Sequence, residues 1–350
     1  MKKSALSLSV AMLAVVLAFP VGAAEPLRIE RQNMHNTSIV RDDDAPATFW
    51  LSKDSKLDES DTVVARDSKA RRVTVRMPVA ERSYVIMQRA DGSTATVAER
   101  VLPLEQGSNF RDLGGYGTRD GKSVRWGKVF RSGAMPMLTE ADYALLGQLG
   151  IGTVVDFRTL EEREIAPDLL DDRTGALFIS NDYSIKPLLA KFGSGNRENI
   201  YEGMEERIAP QLRSLFKRLL ADDGAIVYHC SAGQDRTGIA TALIYDVLGV
   251  DRATIVKDYH LSTQFRRLQF EMPPLEATDH PDNPIVQYYR ASQAKGETRA
   301  EPLYTPSGQS HLAQFFLYLD ARYGGSAGYL TQKLGFSETQ LAKIRTDLLE

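Results

Sequence analysis

The sequence predicts an α/β protein with a mainly parallel sheet flanked by helices, preceded by a small all-β sandwich domain. Three observations support this fold class. Short segments rich in β-branched residues, with no long helical period, fill residues 27–104. Beyond them, apolar strands alternate with helical segments, which is typical of a parallel sheet covered on both faces. Around residues 225–238 a buried strand passes through a run of small residues into an apolar helix.

Residues 1–24 have the features of a secretory signal peptide. Lys2 and Lys3 precede an apolar run from Ala11 to Phe19, and small residues follow as far as Ala24. We expect cleavage after Ala24 and export of the mature chain to the periplasm or out of the cell. The alternative is an uncleaved anchor, but this run is shorter than the ~20 apolar residues that a spanning helix needs. We therefore expect no stable membrane span after processing.

Residues 27–104 are predicted to form a fibronectin- or immunoglobulin-like sandwich domain. Five segments read as strands: LRIER, TFWLS, DTVVARD, RRVTVRM and RSYVIMQR. The stretch Ala90–Ser93 is a tight-turn sequence ahead of a further strand-like segment, TATVAERVLPL. The sequence does not indicate what this domain does. A rigid spacer, a stabilising cap and a partner-binding surface all stay open.

Residues 105–350 carry the alternation of strands and helices. KVFRS and GTVVDFR are strand-like, and the segment between them predicts a helix that Thr139 caps and Gly150 ends. A later helix around Ile208–Leu220 gathers its apolar residues on one face, with Pro210 near its start, where it can kink or restart the helix. The strand AIVYHC and the helix TGIATALIYDVLGV complete the unit, and the tail beyond them is predicted to be largely helical.

Composition argues against several classes of function. The formal net charge is -3, so the chain lacks the basic excess of a nucleic-acid-binding protein. The five histidines are scattered, with no HExxH pattern and no cysteine pair, so we expect no metal site and no cofactor. The single cysteine, Cys230, cannot form a disulfide within its own chain. Because an unpaired thiol oxidises readily in an exported protein, its retention suggests needed chemistry, with an inert buried thiol as the alternative.

The loop that begins at Cys230 has the composition of an anion site. Its residues are Cys230, Ser231, Ala232, Gly233, Gln234, Asp235 and Arg236. Because the loop joins a strand end to a helix from about Thr237, its backbone N–H groups are expected to point inward, and Arg236 can hold two phosphate oxygens. The helix N-terminus and the guanidinium favour the thiolate form of Cys230. This arrangement predicts attack on the phosphorus of a phosphate ester, a cysteinyl-phosphate intermediate and its hydrolysis by water.

The pattern Cys-x5-Arg in this setting resembles the protein tyrosine phosphatase superfamily. The fuller string HCSAGQDRTG, from His229 to Gly238, is similar to its bacterial branch, in which an Asp directly precedes the loop Arg. Other stretches fit that branch: SNFRDLGGY, VFRSGAM, TVVDFRTLEERE, KDYHLS and GYLTQKLGFSETQLAKIR. The resemblance covers roughly residues 108–349. It implies a tyrosine-phosphatase-like fold and a protein tyrosine phosphatase, with a phosphorylated protein or a small phosphate ester as substrate.

The resemblance also implies a role for each residue of the loop. Cys230 is the nucleophile, and Arg236 binds phosphoryl oxygens and stabilises the charge of the transition state. The phosphate-binding residues are Ser231, Ala232, Gly233, Gln234, Asp235 and Arg236. His229 supports the loop geometry and the ionised form of the Cys230 thiol rather than touching substrate. Thr237 either donates a hydrogen bond to the thiolate or caps the following helix.

The leaving oxygen needs a proton, and many superfamily members take it from the Asp of a Trp-Pro-Asp triplet. This chain has no such triplet. In the bacterial branch the loop residue, here Asp235, is the leading candidate for the general acid, with a purely structural carboxylate as its alternative. Asp156, expected at the carboxyl end of a neighbouring strand, is the second candidate, and Asp182 is the third.

Gln234 stands where this branch often carries Lys. Its neutral side chain favours phosphotyrosine-like or dual-specificity substrates over phosphoinositides, although Arg131, Arg158 or Lys186 could restore positive charge. Three alternatives stay open. They are a phosphatase for phosphoinositides or other small phosphate esters, a sulfurtransferase- or arsenate-reductase-like enzyme, and a non-catalytic phosphate-binding module.

A polar motif upstream, NFRDLGG, combines Asn109, Arg111 and Asp112 with a glycine pair. One interpretation is that these side chains brace the active-site loop. The other is that they form a tight turn at the start of the domain. We assign none of them to contact with substrate.

Overall fold

The computed structural model describes residues 27–33, 35–193, 198–275, 280–294 and 303–350. The predicted signal peptide lies outside the described residues. Within the described ranges, no helix is both long and apolar enough to cross a lipid bilayer.

Seven short strands form the first part of the chain. They are β1 Leu27–Arg31, β2 Asn36–Arg41, β3 Ala47–Ser52, β4 Thr62–Ser68, β5 Arg72–Arg76, β6 Tyr84–Arg89 and β7 Thr94–Ala98. They make two antiparallel sheets, in the orders β1-β2-β5 and β4-β3-β6-β7. The predicted turn joins β6 to β7, with Gly92 at a φ of 83°. The all-β prediction for this part is confirmed, although β2 was not among the predicted strand segments.

Five further strands form the central sheet of the second part. They are β8 Arg111–Asp112, β9 Val129–Ser132, β10 Ile151–Asp156, β11 Leu177–Ile179 and β12 Ala225–His229. The order is β11-β10-β12-β9-β8, and all neighbours are parallel except the antiparallel pair β8 and β9. The predicted mainly parallel sheet is therefore confirmed. β12 is buried along its whole length and lies at the centre, so its carboxyl end opens in the middle of one sheet edge.

Helices cover both faces of this sheet. They are α1 Glu140–Leu146, α2 Leu160–Ile165, α3 Leu170–Thr174, α4 Lys186–Gly193, α5 Met204–Arg207, α6 Ala209–Ala221, α7 Asp235–Leu248, α8 Arg252–Phe265, α9 Pro284–Ala294, α10 His311–Tyr323, α11 Ser326–Gln332 and α12 Glu338–Leu348. Thr139 caps α1 as predicted, and Gly150 follows a short 3-10 turn with a φ of 62°. Pro210 lies in the first turn of α6, where its missing N–H costs nothing, so the helix restarts there after α5.

Two apolar clusters lie on the two faces of the central sheet. The larger one joins α6, α7, α10, α11 and α12 to one face, and the smaller one joins α1 and the segment after β7 to the other. Alternate residues of β12 enter opposite clusters, with Tyr228 in the larger and Val227 in the smaller. Because both neighbours and both faces of β12 are packed, its end is a rigid base for the loop that follows.

The all-β part is joined to the central sheet through a buried tryptophan. Trp126 belongs to the second part by sequence, yet it packs in the apolar core of the first part and donates from Nε1 to the carbonyl of Thr96 at 3.1 Å. Gly114 and Gly115 lie so close that a Cβ on either would approach Trp126 to 2.5 or 2.2 Å. This contact is why the NFRDLGG motif needs two glycines there.

Candidate active site

The loop after β12 forms a curled cradle of backbone N–H groups. Cys230 is only 1% exposed and lies at its base. Within the described residues, no N–H from Ser231 to Arg236 donates to a protein acceptor. Gly233 has a φ of 64°, and a Cβ there would lie 2.5 Å from the carbonyl oxygen of Ser132. Glycine is required at this turn, and the result is a row of donors suited to an anion.

Two side chains hold the outer edge of the loop. Asn109 donates from Nδ2 to the carbonyl oxygens of Ala232 and Gly233, at 3.1 and 3.0 Å. Arg131 donates from Nη2 to the carbonyl oxygen of Gly233 at 2.7 Å. By binding the carbonyl oxygens from outside, these donors keep the opposite, N–H side of the peptides turned inward. Of the two interpretations of the NFRDLGG motif, the one in which it braces the loop is confirmed for Asn109.

A buried ion cluster supports these braces. The carboxylate of Asp258 accepts from Arg111 and from Arg131, at 3.2 and 3.1 Å, and all three side chains are at most 2% exposed. Burial alone raises the pKa of Asp258, but the two guanidinium groups outweigh it and hold that pKa at about 2. Tyr116 donates to the same carboxylate at 3.1 Å. Nε of Arg131 is buried without a hydrogen-bond partner within the described residues. The two ion pairs nevertheless keep Asp258 charged near neutral pH, so the cluster anchors the loop.

Arg236 is fixed by a carboxylate that sequence reasoning did not assign. Its Nη1 and Nη2 donate to Oε2 and Oε1 of Glu162, at 2.7 and 2.6 Å, and Ser231 Oγ donates to the same Oε1 at 2.5 Å. Nη1 also donates to the carbonyl of Phe157 and to the Tyr183 hydroxyl, both at 3.1 Å. Burial raises the pKa of Glu162, yet Arg236 holds it at about 2. Within the described residues these bonds leave Nε of Arg236 for another acceptor.

His229 lies behind the nucleophile between two carboxylates. Its Nε2 is 3.0 Å from Asp168 and 3.8 Å from Asp156, and all three side chains are fully buried. Asp156 also accepts from Nε and Nη2 of Arg158, at 3.0 and 2.7 Å. Burial raises the pKa of Asp156, but Arg158 and His229 hold it well below its usual range. Asp156 therefore reaches the sheet edge as predicted, but it is locked in an internal ion pair.

Asp235 is in a different environment. It is the first residue of α7, partly exposed, and its Oδ1 accepts from the Tyr201 hydroxyl at 2.7 Å. Among the residues that the structure describes, it forms no ion pair, because Arg236 turns to Glu162 instead. The alternative was a structural carboxylate that pairs with Arg236 or with a neighbour. Pairing with Arg236 does not occur, whereas the bond from Tyr201 leaves the neighbour form of that alternative open. Asp182, the third candidate, is exposed and pairs with Arg163.

Thr237 does not cap the helix, because α7 begins at Asp235 and Gln234 holds the N-cap position. Its hydroxyl is buried and has no hydrogen-bond partner within the described residues. The capping interpretation is therefore wrong, and hydrogen bonding of Thr237 to the Cys230 thiolate stays a prediction.

The arginines around Gln234 are already paired with carboxylates. Gln234 is 3% exposed and accepts from Arg266, which also forms an ion pair with Glu271 at 2.6 Å. Of the three side chains that could have restored charge to the mouth, Arg131 and Arg158 are fully buried in ion pairs of their own, whereas Lys186 is exposed. No cluster of metal-ligating side chains occurs in the described part of the chain.

Sequence reasoning found the loop and its brace Asn109 but missed other side chains that orient it. Glu162 had a usable signal, because Thr159-x-x-Glu162 is a capping box at the start of α2, and that box is formed. Its second role, binding Arg236 from 74 positions away, has no local signature. Tyr201 and Arg266 lie in segments without any motif.

Comparison with known proteins gives one consistent result. The sequence model of the tyrosine phosphatase family matches residues 102–350. A tyrosine-protein phosphatase from Nostoc commune is 31% identical over 62% of this chain and 73% of its own length. The triple specificity protein phosphatase PtpB of Mycobacterium tuberculosis is 28% identical over 71% of this chain and 99% of its own length. The solved structure of P. aeruginosa TpbA covers 50% of this chain and 86% of its own, with 19% identity and a TM-score of 0.25, too low to add to the argument.

Proposed function

This chain belongs to the tyrosine phosphatase family, and we propose that it hydrolyses phosphotyrosine-type monoesters with Cys230 as the nucleophile. One observation carries the assignment of the site. The lone cysteine lies at the base of six consecutive N–H groups that have no acceptor in the described part of the protein, beside an arginine whose two terminal nitrogens are held by Glu162. A tetrahedral dianion matches both the donors and the charge. Membership of the tyrosine phosphatase family argues against the sulfurtransferase- or arsenate-reductase-like alternative.

In the first step the thiolate of Cys230 attacks phosphorus. A sulfur–phosphorus bond forms while the bond between phosphorus and the leaving oxygen breaks, and the electron pair of that bond departs with the oxygen. Asp235 supplies the proton that neutralises it. The loop N–H groups, which have no protein acceptor within the described residues, stabilise the equatorial oxygens throughout, together with Nε of Arg236.

In the second step water hydrolyses the cysteinyl phosphate. Asp235, now ionised, accepts a proton as the water oxygen bonds to phosphorus, and the sulfur–phosphorus bond breaks to regenerate the thiolate and release phosphate. Asp235 suits both steps because it is partly exposed and free of an ion pair within the described residues. Asp156 suits neither, because transferring a proton would break its buried pair with Arg158.

The decisive experiment is turnover of 4-nitrophenyl phosphate by the full mature chain. We expect steady release of nitrophenolate, inhibition by vanadate, and loss of activity in Cys230→Ser. Arg236→Lys should lower kcat roughly 100-fold or more, since a point charge cannot replace the planar fork. Full activity of Cys230→Ser would refute the proposed nucleophile, and vanadate binding without turnover would favour the non-catalytic alternative.

We further propose that phosphotyrosine is preferred over phosphoinositides. The neutral Gln234 and the pairing of Arg266 with Glu271 support this preference, because neither side chain offers an unpaired positive charge to a second phosphate. A panel of phosphotyrosine, phosphoserine and phosphothreonine peptides and phosphoinositides tests this. Faster turnover of the lipids would overturn it.

Export to the periplasm or out of the cell remains a proposal that rests on residues 1–24. It is tested by cell fractionation together with N-terminal sequencing of the mature chain. We expect the mature protein to begin at Glu25. An intact N-terminus in a cytoplasmic fraction would refute it.

A further inference from the structure

We propose that Tyr201 is a positioning residue for the general acid and decides which oxygen of Asp235 carries the catalytic proton. The inference rests on the proposed function, in which Asp235 protonates the leaving oxygen. Tyr201 Oη donates to Oδ1 of Asp235 at 2.7 Å. A proton on Asp235 is then held on Oδ2, because Oδ1 is already an acceptor. The acid therefore presents one defined oxygen to the substrate.

The ring of Tyr201 is held from several sides. It is 1% exposed and packs edge-on against Tyr259 and Phe315, each with ring centroids 6.3 Å apart, and against His311 at 5.7 Å. These neighbours come from α8 and α10, which are packed against α7. Because the ring cannot swing, its hydroxyl stays at one place beside Asp235.

A second tyrosine directs the hydroxyl proton toward Asp235. The hydroxyl oxygens of Tyr201 and Tyr259 are 2.5 Å apart. Burial raises the pKa of both tyrosines well above the ordinary value, so both keep their protons at neutral pH. An ionised Asp235 can only accept, so Tyr201 donates to it and Tyr259 donates to Tyr201. The pair forms a short chain of hydrogen bonds that ends on the acid.

The last residue of the HCSAGQDRTG string makes room for this chain of hydrogen bonds. A Cβ on Gly238 would lie 3.0 Å from Cδ2 and 3.1 Å from Cε2 of Tyr259. The glycine that ends the HCSAGQDRTG string therefore lets Tyr259 lie against α7, next to the turn that carries Asp235. The close packing of Tyr259 against α7 thus explains why position 238 is a glycine, which the phosphate-binding loop alone does not explain.

The test is Tyr201→Phe, which removes one oxygen and keeps the ring. Rates are compared for 4-nitrophenyl phosphate, whose leaving group departs easily, and phenyl phosphate, whose leaving group needs the proton. We expect kcat for phenyl phosphate to fall about tenfold, and kcat for 4-nitrophenyl phosphate to change little. Inhibition by vanadate should be unchanged, because the cradle is intact. Asp235→Asn should lower kcat for phenyl phosphate even more, again with little change for 4-nitrophenyl phosphate. Adding Tyr201→Phe to Asp235→Asn should lower kcat no further.

Tyr329→Phe is the matched control. Its ring is fully buried and its hydroxyl donates to the carbonyl of Glu205 at 2.9 Å, outside the loop region. It should lower the rate with both substrates equally or not at all. If circular dichroism shows that Tyr201→Phe folds poorly, Tyr259→Phe replaces it. We then expect a smaller loss of kcat for phenyl phosphate, again with little change for 4-nitrophenyl phosphate.

Equal losses with both substrates, or additive losses in the double variant, would overturn the positioning role of Tyr201. Failure of the proposed function itself would give different results. Cys230→Ser would then keep its activity, or the loss of rate in Asp235→Asn would not depend on the leaving group.

Discussion

Glu162 holds Arg236 at two points, with oxygen–nitrogen distances of 2.7 and 2.6 Å, although 73 residues separate the two in the chain. The same carboxylate accepts from Ser231, so it ties the loop's first turn to its last residue. The guanidinium group of Arg236 is thus oriented before substrate arrives. Electrostatic stabilisation of this kind depends on donors that need no reorganisation during the reaction.

Glu162→Gln is expected to lower kcat roughly tenfold to a hundredfold. The amide keeps the size but loses one acceptor and the charge, so Arg236 is no longer held at both nitrogens. Vanadate should also bind more weakly. The measurement is steady-state turnover of 4-nitrophenyl phosphate, with Glu206→Gln on the surface as the control. Unchanged kcat and vanadate inhibition would show that Arg236 is oriented without Glu162.

Acid should destabilise the folded state through its buried carboxylates. The pKa values of Glu162 and Asp258 are lowered to about 2 from ordinary values of 4.5 and 3.8. Each contribution to stability is therefore fully present above the ordinary value and is lost as the pH falls toward 2. The free energy of unfolding in urea should decline through this range in the wild type.

Asp258→Asn isolates one of these contributions. It should be less stable than the wild type at pH 7, because Arg111 and Arg131 lose their shared partner, and its stability should decline less between pH 4 and pH 2. Asp172→Asn, at an exposed position, should follow the wild type. Parallel pH curves for Asp258→Asn and the wild type would contradict the assignment.

Trp126→Ala tests the junction between the two parts of the chain. Removing a large aromatic side chain from a packed core costs about 3–5 kcal/mol, and here it also removes the bond to Thr96. We expect urea unfolding to change from one cooperative transition to two. Trp50→Ala, at a half-buried position on β3, should lower stability less. An unchanged midpoint for Trp126→Ala would mean that the junction adds no stability.

Gln234→Lys tests the proposed substrate preference. A lysine beside Arg266 adds positive charge where Glu271 now pairs with that arginine. We expect the ratio of phosphoinositide to phosphotyrosine turnover to rise several-fold, more so at low ionic strength. Gln332→Lys adds the same charge on a distant exposed position and should leave the ratio unchanged. No change in the ratio for Gln234→Lys would show that other residues set the preference.

Much of the fold was predictable because its signals are local. The apolar strand segments of β3 and β6, the helical face of α6, and the cap at Thr139 each depend on residues a few positions apart. The main error of boundary was at α7, which begins at Asp235 instead of Thr237. Loop and helix share those residues, so the sequence alone does not separate them.

The nucleophilic loop was predictable for the same reason, since Cys230 and Arg236 lie within one short segment whose glycine and helix start shape it. The resemblance ranked Asp235 before Asp156 as the acid, but the sequence itself offered no physical reason for that order. The packed structure supplies one, because Arg158 pairs with Asp156 whereas the hydroxyl of Tyr201 donates to Asp235.

Sequence alone determined the strand–loop–helix that aligns backbone N–H groups around a single sulfur, because backbone geometry follows from neighbouring residues. Tertiary structure decided the orientation and charge of what surrounds that sulfur. Glu162, Asn109 and Tyr201 reach the loop from distant parts of the chain. Their effect depends on distances of about 3 Å in a buried, low-dielectric setting, and only folding sets such distances.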